Sequence, residues 1–149
     1  MSIGEHCTRD VVIVVGEESL RTAAQLMRQH HVGALVVIDE RDGERFPVGV
    51  VTDRDLVVEV IAAEVDADTV AVRDLVTGPP TLAYDTDSLA DVLQVMRQRA
   101  VRRLPVVNDA GMLVGIITVD DAIGIAAEML ADLSAVVDRQ RIREAHQRP

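Results

Sequence analysis

One motif occurs twice with the same internal spacing. Gly49, Thr52 and Asp55 stand in "VGVVTDRDLVVEV" (48–60), and Gly115, Thr118 and Asp121 stand in "VGIITVDDAIGIA" (114–126). The correspondence extends upstream. "MRQHHVGALVVID" (27–39) falls on "MRQRAVRRLPVVN" (96–108) at an offset of 69 residues, which drops to 66 after the turn "DERDGERFPVG". Gly, Asp and Pro in that stretch mark a surface turn, where a length change is tolerated. Internal duplication constrains the fold strongly, because both halves must make the same supersecondary unit.

Each half runs in the same order. A short apolar stretch (Val11 to Val15; Thr81 to Tyr84) reads as a strand. An amphipathic segment follows, with Leu20, Ala23, Ala24 and Met27 on one face, matched by Leu89, Val92, Val95 and Met96. Ser88-x-x-Asp91 reads as a capping box at the start of the second of these helices. "ALVVID" and "RLPVVN" read as buried strands, then come a turn, a third strand and a helix after Thr52 or Thr118. The fold class is therefore α/β, two β-α-β-β-α repeats. Three strands cannot cover both faces of their own sheet. The two repeats are expected to pack face to face about a pseudo-two-fold axis, which also accounts for the nearly continuous apolar strands. The expected boundaries are residues 1–66 and 67–132 for the repeats, with the acidic "EVDADTVA" as the link, and 133–149 for a C-terminal helical tail. Apolar residues recur through Ala122 to Arg143 at helical spacing, which reads as a helix packed on its own module or, from its length beyond the repeat, as a dimer contact, and the polar end "DRQRIREAHQRP" is expected to fray.

Composition narrows the function. Apolar residues make up 48% of the 149 residues, but the only aromatic rings are Phe46 and Tyr84, and the formal net charge is −10. Base-stacking platforms are missing and duplex nucleic acid is repelled, so nucleic-acid binding through Arg97, Arg99, Arg102 and Arg103 is disfavoured. The single Cys7 excludes an internal disulfide framework and any cysteine cluster for a metal, and fits a reducing compartment. No signal-peptide pattern and no long apolar run is visible, so a cytoplasmic location without a membrane span is expected. There is no nucleophile–base pair, phosphate-binding Walker loop or metal-ligand spacing, so no enzyme is expected.

Taken once, Gly-x-x-Thr-x-x-Asp is satisfied by a helix cap: Thr accepts a backbone N–H, and the acid complements the positive helix end. The glycine needs another cause, since Gly inside an apolar strand marks close approach of a backbone or ligand. A sharper reading is a nucleoside grip, in which the carboxylate accepts hydrogen bonds from both hydroxyls of a ribose, as the acidic residue of dinucleotide folds does. Arg54 admits two readings, a surface pair with Asp53 or Glu17/Glu18, or a contact to ligand or partner. His30 and His31 read as cations at a helix C-terminus, with a phosphate contact by His31 as the second reading.

With the two motifs, "HHVGALVVID", "VRRLPVV" and the lead-ins "CTRDVV" and "VRDLVTGPP", the chain resembles a tandem pair of cystathionine-β-synthase (CBS) domains, a Bateman module. The resemblance implies a regulatory module without catalysis. Its ligands would be of the adenosine type (AMP, ADP, ATP, S-adenosylmethionine or NAD-like), and it would act as a homodimer on a protein partner in trans. By the resemblance, Asp55 and Asp121 hold riboses with Thr52 and Thr118 beside them. The stretch before each first strand lines the adenine pocket, with Thr8 matching Thr77 and Val12 matching Thr81. Arg102 and Arg103 reach a phosphate whose ribose sits on Asp55, while their counterparts Gly33 and Ala34 offer no charge. The Asp55 cleft is thus expected to hold a phosphorylated nucleotide and the Asp121 cleft, with Asp120 beside it, to prefer less charge or stay empty. The alternative is a non-catalytic interaction scaffold with vestigial clefts.

Overall fold

A computed structural model describes residues 1–147. It contains two three-stranded sheets of identical topology. In the first, β1 (Ile13–Val15) lies parallel to β2 (Ala34–Arg41), which is antiparallel to β3 (Glu44–Thr52). In the second, β4 (Ala83–Tyr84), β5 (Arg103–Val107) and β6 (Leu113–Thr118) repeat the pattern. Even an irregularity is duplicated. Register shifts fall between Val37 and Ile38 and between Val106 and Val107, and Gly49 pairs with Val37 as Gly115 pairs with Val106. The first strands are shorter than the sequence pattern suggests. Val12 lies outside β1, although its carbonyl accepts from the Val36 amide (3.1 Å), and Thr81 lies outside β4.

The crossover helices α1 (Leu20–His30) and α3 (Leu89–Arg99) begin at Ser19 and Ser88, whose hydroxyls accept from the Thr22 and Asp91 amides. At Ser88 the box is complete: Asp91 accepts from the Ser88 amide and hydroxyl, and these bonds hold its carboxyl below the usual range. That contribution is present above the ordinary carboxylate pKa and fades as the pH falls through the lowered one. Both helices end on a left-handed residue that is not glycine, His31 at φ 54° and Ala100 at φ 53°. Left-handed backbone costs an L-residue about 1–2 kcal/mol. Ala100→Gly is therefore expected to raise stability by about 1 kcal/mol, read as a higher urea midpoint at unchanged slope; a lower midpoint would contradict this reading of the cap.

The fourth elements diverge. After Thr52, α2 (Asp53–Leu56) makes one turn and continues as a π turn over Val57–Ile61. After Thr118, α4 (Val119–Gln147) runs unbroken for 29 residues. Four β-branched residues among Val57–Ile61 crowd the preceding turn, whereas α4 is rich in alanine. The expected fraying from Asp138 onward is not what the structure has: the helix persists to Gln147, and Arg148 and Pro149 lie outside the described residues. No helix among the described residues is long and apolar enough to cross a membrane.

Two apolar cores form, one per sheet, and each borrows from across the chain. The second, around Leu104, Val106 and Ile117, includes Ile3 from a short 3-10 turn at Ile3–Glu5. The first, around Leu35, Val37 and Val51, includes Val72 from a second such turn at Val72–Leu75, with Val76 packed against it. The lead-in preceding each repeat thus seats on the other one. The Ile3 and Gly4 amides donate to the Asp87 and Asp85 carbonyls (both 2.9 Å), and Thr8 and Ile116 exchange two backbone hydrogen bonds (2.9 Å each).

Candidate functional site

The motif glycines lie under these lead-ins. A Cβ on Gly49 would meet Val76 Cγ1 at 2.7 Å, and one on Gly115 would meet the Thr8 carbonyl oxygen at 2.5 Å and Cys7 Sγ at 2.8 Å. Close approach is the cause, and what approaches is the chain itself.

The Thr and Asp of each motif close a capping box. The Thr52 amide donates to Asp55 Oδ2 (2.8 Å) and the Asp55 amide to Thr52 Oγ1 (3.2 Å). The Thr118 amide donates to Asp121 Oδ2 (2.9 Å) and the Asp121 amide to Thr118 Oγ1 (3.2 Å). Each carboxylate therefore spends one oxygen on its own helix start. Oδ1 of both makes no hydrogen bond among the described residues. Neither Asp is buried, and an ionised carboxylate offers several acceptor directions, so the cap leaves capacity for a ligand.

On the Asp55 side these groups open onto a cleft of about 560 Å³, within the size range of small-molecule sites. Thr52 and Asp55 stand on one wall, Thr77 and Thr81 enter from the lead-in of the second repeat, and Arg102 and Arg103 come from its helix end and β5. Six of the residues expected at a ligand meet here, and they come from both repeats. Val48, Val50 and Pro105 supply apolar floor, and the Gly78–Pro80 bend, with Gly78 at φ 74°, supplies the rim. Arg54 also lines the cleft; its backbone amide donates to Asp53 Oδ1 (2.8 Å). Glu17, one suggested partner for its side chain, instead lies 3.9 Å from Arg73. Three arginines face two aspartates, Asp53 and Asp55, so the cleft is locally positive on a chain of net charge −10. None of the three arginines is in an ion pair among the described residues.

The other side is built differently. Thr8 lies over Gly115 beside β6, away from the Asp55 cleft, and Val12 is half-buried against the first core. The Gly33 carbonyl accepts from the Asp53 amide (2.9 Å), with the Asp53 carboxylate 3.0 Å from where a Cβ would stand, and Ala34 pairs with Thr52 at the start of β2. Where the first motif has Arg54, the second has Asp120, and no arginine replaces Arg102 or Arg103. Cys7, half-buried here, has its thiol pKa pushed up by burial, opposed by Arg9. No group of three His, Cys, Asp or Glu side chains fit to hold a metal occurs among the described residues.

The family model described as CBS domain matches residues 3–62 and again residues 72–128. An uncharacterised protein of Methanopyrus kandleri is 32% identical over 133 residues, spanning 89% of this chain and 66% of its own length. Hypoxic response protein 1 of Mycobacterium tuberculosis is 38% identical over 111 residues, 74% of this chain and 75% of that protein. Among solved structures, a CBS domain protein of Pyrobaculum aerophilum complexed with AMP superimposes with a TM-score of 0.72 at 26% identity, covering 81% of this chain and 89% of that one.

Proposed function

Because the chain belongs to the CBS domain family, as a pair of repeats, we propose that it is a non-catalytic regulatory module that binds an adenosine-type nucleotide in the Asp55 cleft. The observation that carries this is the meeting of Thr52, Asp55, Thr77, Thr81, Arg102 and Arg103 around one open cleft. In this reading Asp55 Oδ1 accepts from the ribose hydroxyls, the lead-in threonines border the base, and the guanidinium groups of Arg102 and Arg103 take the phosphate, a geometry suited to their planar donors. The AMP held by the Pyrobaculum protein supports the ligand class. The Asp121 side, with Asp120 and without arginine, takes less charge or none. The module acts as a homodimer and signals to a protein partner in trans, in the cytoplasm.

Titration calorimetry with AMP and adenosine tests this. AMP is expected to bind more tightly than adenosine. Arg102→Ala and Arg103→Ala should each weaken AMP by about 10-fold or more, given about 1.5–3 kcal/mol for a hydrogen bond to a charged group, and leave adenosine unmoved. Equal affinity for the two ligands, unchanged in Arg103→Ala, would end the phosphate role. Native mass spectrometry of the protein as purified reports the mass of any bound ligand together with the subunit count.

A second reading has its own support. Both motif carboxylates already serve capping boxes, which is what a scaffold with vestigial clefts requires of them. Thermal unfolding separates the two, because a ligand at 100 times its dissociation constant adds about 2.7 kcal/mol. No shift with any adenine compound would favour the scaffold.

A further inference from the structure

Three guanidinium groups line the Asp55 cleft, and a single phosphate needs only two of them. Arg102 and Arg103 enter from the second repeat, and Arg54 enters from the first, next to Asp55 in the chain. None of the three is in an ion pair among the described residues, and the hydrogen bond Arg54 makes in the cap comes from its backbone amide. The two carboxylates of the cleft are otherwise engaged. Asp55 gives Oδ2 to the Thr52 amide (2.8 Å) and, in the reading above, Oδ1 to the ribose. Asp53 takes the Arg54 amide on Oδ1 (2.8 Å), and its Oδ2 lies 3.0 Å from where a Gly33 Cβ would stand.

Phosphate chemistry sets the count. A phosphate monoester has three terminal oxygens, and an arginine fork engages two acceptors at once. Arg102 and Arg103 together leave no terminal oxygen of one phosphate without a donor. Arg54, on the wall of the other repeat, keeps all its side-chain donors. A second phosphate linked to the first supplies the acceptors it lacks. The backbone of all three arginines is already fixed, which lowers the cost of binding. The Arg102 carbonyl accepts from the Val119 amide (2.8 Å), Arg103 pairs with Thr118 between β5 and β6, and Asp53 holds the Arg54 amide. The duplicated half serves as an internal comparison. Asp120 stands where Arg54 would, and Gly33 and Ala34 stand where Arg102 and Arg103 would. The three cations occur together on one side and are missing together on the other.

We propose that Arg54 binds the second of two linked phosphates on an adenosine ligand, so that the Asp55 cleft prefers an adenosine diphosphate group to AMP. The inference rests on the nucleotide reading above and deepens it by naming the ligand class and a residue that selects it. Such a group occurs free, as ADP, or inside a dinucleotide such as NAD.

Titration calorimetry of the full chain with adenosine, AMP, ADP and NAD, in magnesium-free buffer, tests this. ADP is expected to bind about 10-fold or more tightly than AMP, the worth of one added contact between charged groups. Arg54→Ala should bring ADP down to the affinity of AMP, and Arg54→Asp, which copies Asp120, should take it lower. Arg103→Ala should weaken AMP and ADP together. Adenosine, which carries no phosphate, checks that each variant keeps its cleft, and the comparison of ADP with AMP on the unmodified chain needs no variant. A gain for NAD over AMP that Arg54→Ala removes supports a dinucleotide source, and a gain confined to ADP supports the free diphosphate. ADP no tighter than AMP, or an Arg54→Ala loss equal for the two, overturns the role of Arg54 and leaves the nucleotide reading standing. No binding of any of the four to the unmodified chain overturns that reading and this inference together.

Discussion

Ile3→Ala should lower the unfolding free energy by about 2–5 kcal/mol, the range for deleting a buried isoleucine or leucine side chain. A substitution so close to a chain start is ordinarily without consequence. Here the side chain is 1% exposed and sits among Ala83, Val92, Leu104 and Ile117, so the deletion leaves a hole in the second core. The backbone around it is fixed by the bonds to Asp85 and Asp87, which limits collapse into the space. Ile3→Val, with one methylene fewer, should cost about 0.5–1.5 kcal/mol. Urea unfolding measures both, and a change under half a kcal/mol for the alanine would show that the lead-in is dispensable to the second repeat.

Gly115→Ala comes next in size. The new methyl would stand 2.5 Å from the Thr8 carbonyl oxygen, a contact with backbone that cannot rotate away. Overpacking of this kind costs about 1–3 kcal/mol. If the lead-in lifts instead, the two Thr8–Ile116 hydrogen bonds are lost, at about 0.5–1.5 kcal/mol each. Lifting also uncovers Cys7, whose thiol is held above its ordinary pKa by burial. Labelling by a thiol reagent should therefore speed up, and its pH profile should move to lower pH, because the thiolate forms more readily once solvated. Gly49→Ala offers a comparison in which the new methyl meets side chain and not backbone, both Val76 methyls at 2.7 and 3.0 Å, so relief needs Val76 itself to shift. An unchanged midpoint together with unchanged labelling in Gly115→Ala would refute the close-packing explanation of the motif glycine.

The duplication makes the sheets legible in the sequence itself. Matching Leu35 to Leu104 and Gly49 to Gly115 already implied equal strand order and equal register, and the bulges at Val37 and Val106 agree. The convergence of Asp55 with Arg102 and Arg103 was legible through the family resemblance, since nothing local links residues half a chain apart. The crossing of the lead-ins was hidden. Ile3 is one apolar side chain between polar neighbours, and no periodicity announces which core receives it. Arg54 was undervalued for a related reason: a cation in the first turn of a helix opposes the dipole, and its place in the cleft depends on the facing repeat. The unequal helices after Thr52 and Thr118 show side-chain crowding acting below the level of a motif, with Val57, Val58, Val60 and Ile61 limiting one and alanines extending the other.

The Thr118–Asp121 turn and the far tip at Gln147 belong to one unbroken rod. Such a rod behaves as a lever with a short arm anchored at Ala122 and Ile125 and a long arm in solvent. A small tilt at the anchored end displaces the tip in proportion to the arm's length, because no loop lies between the two to absorb it.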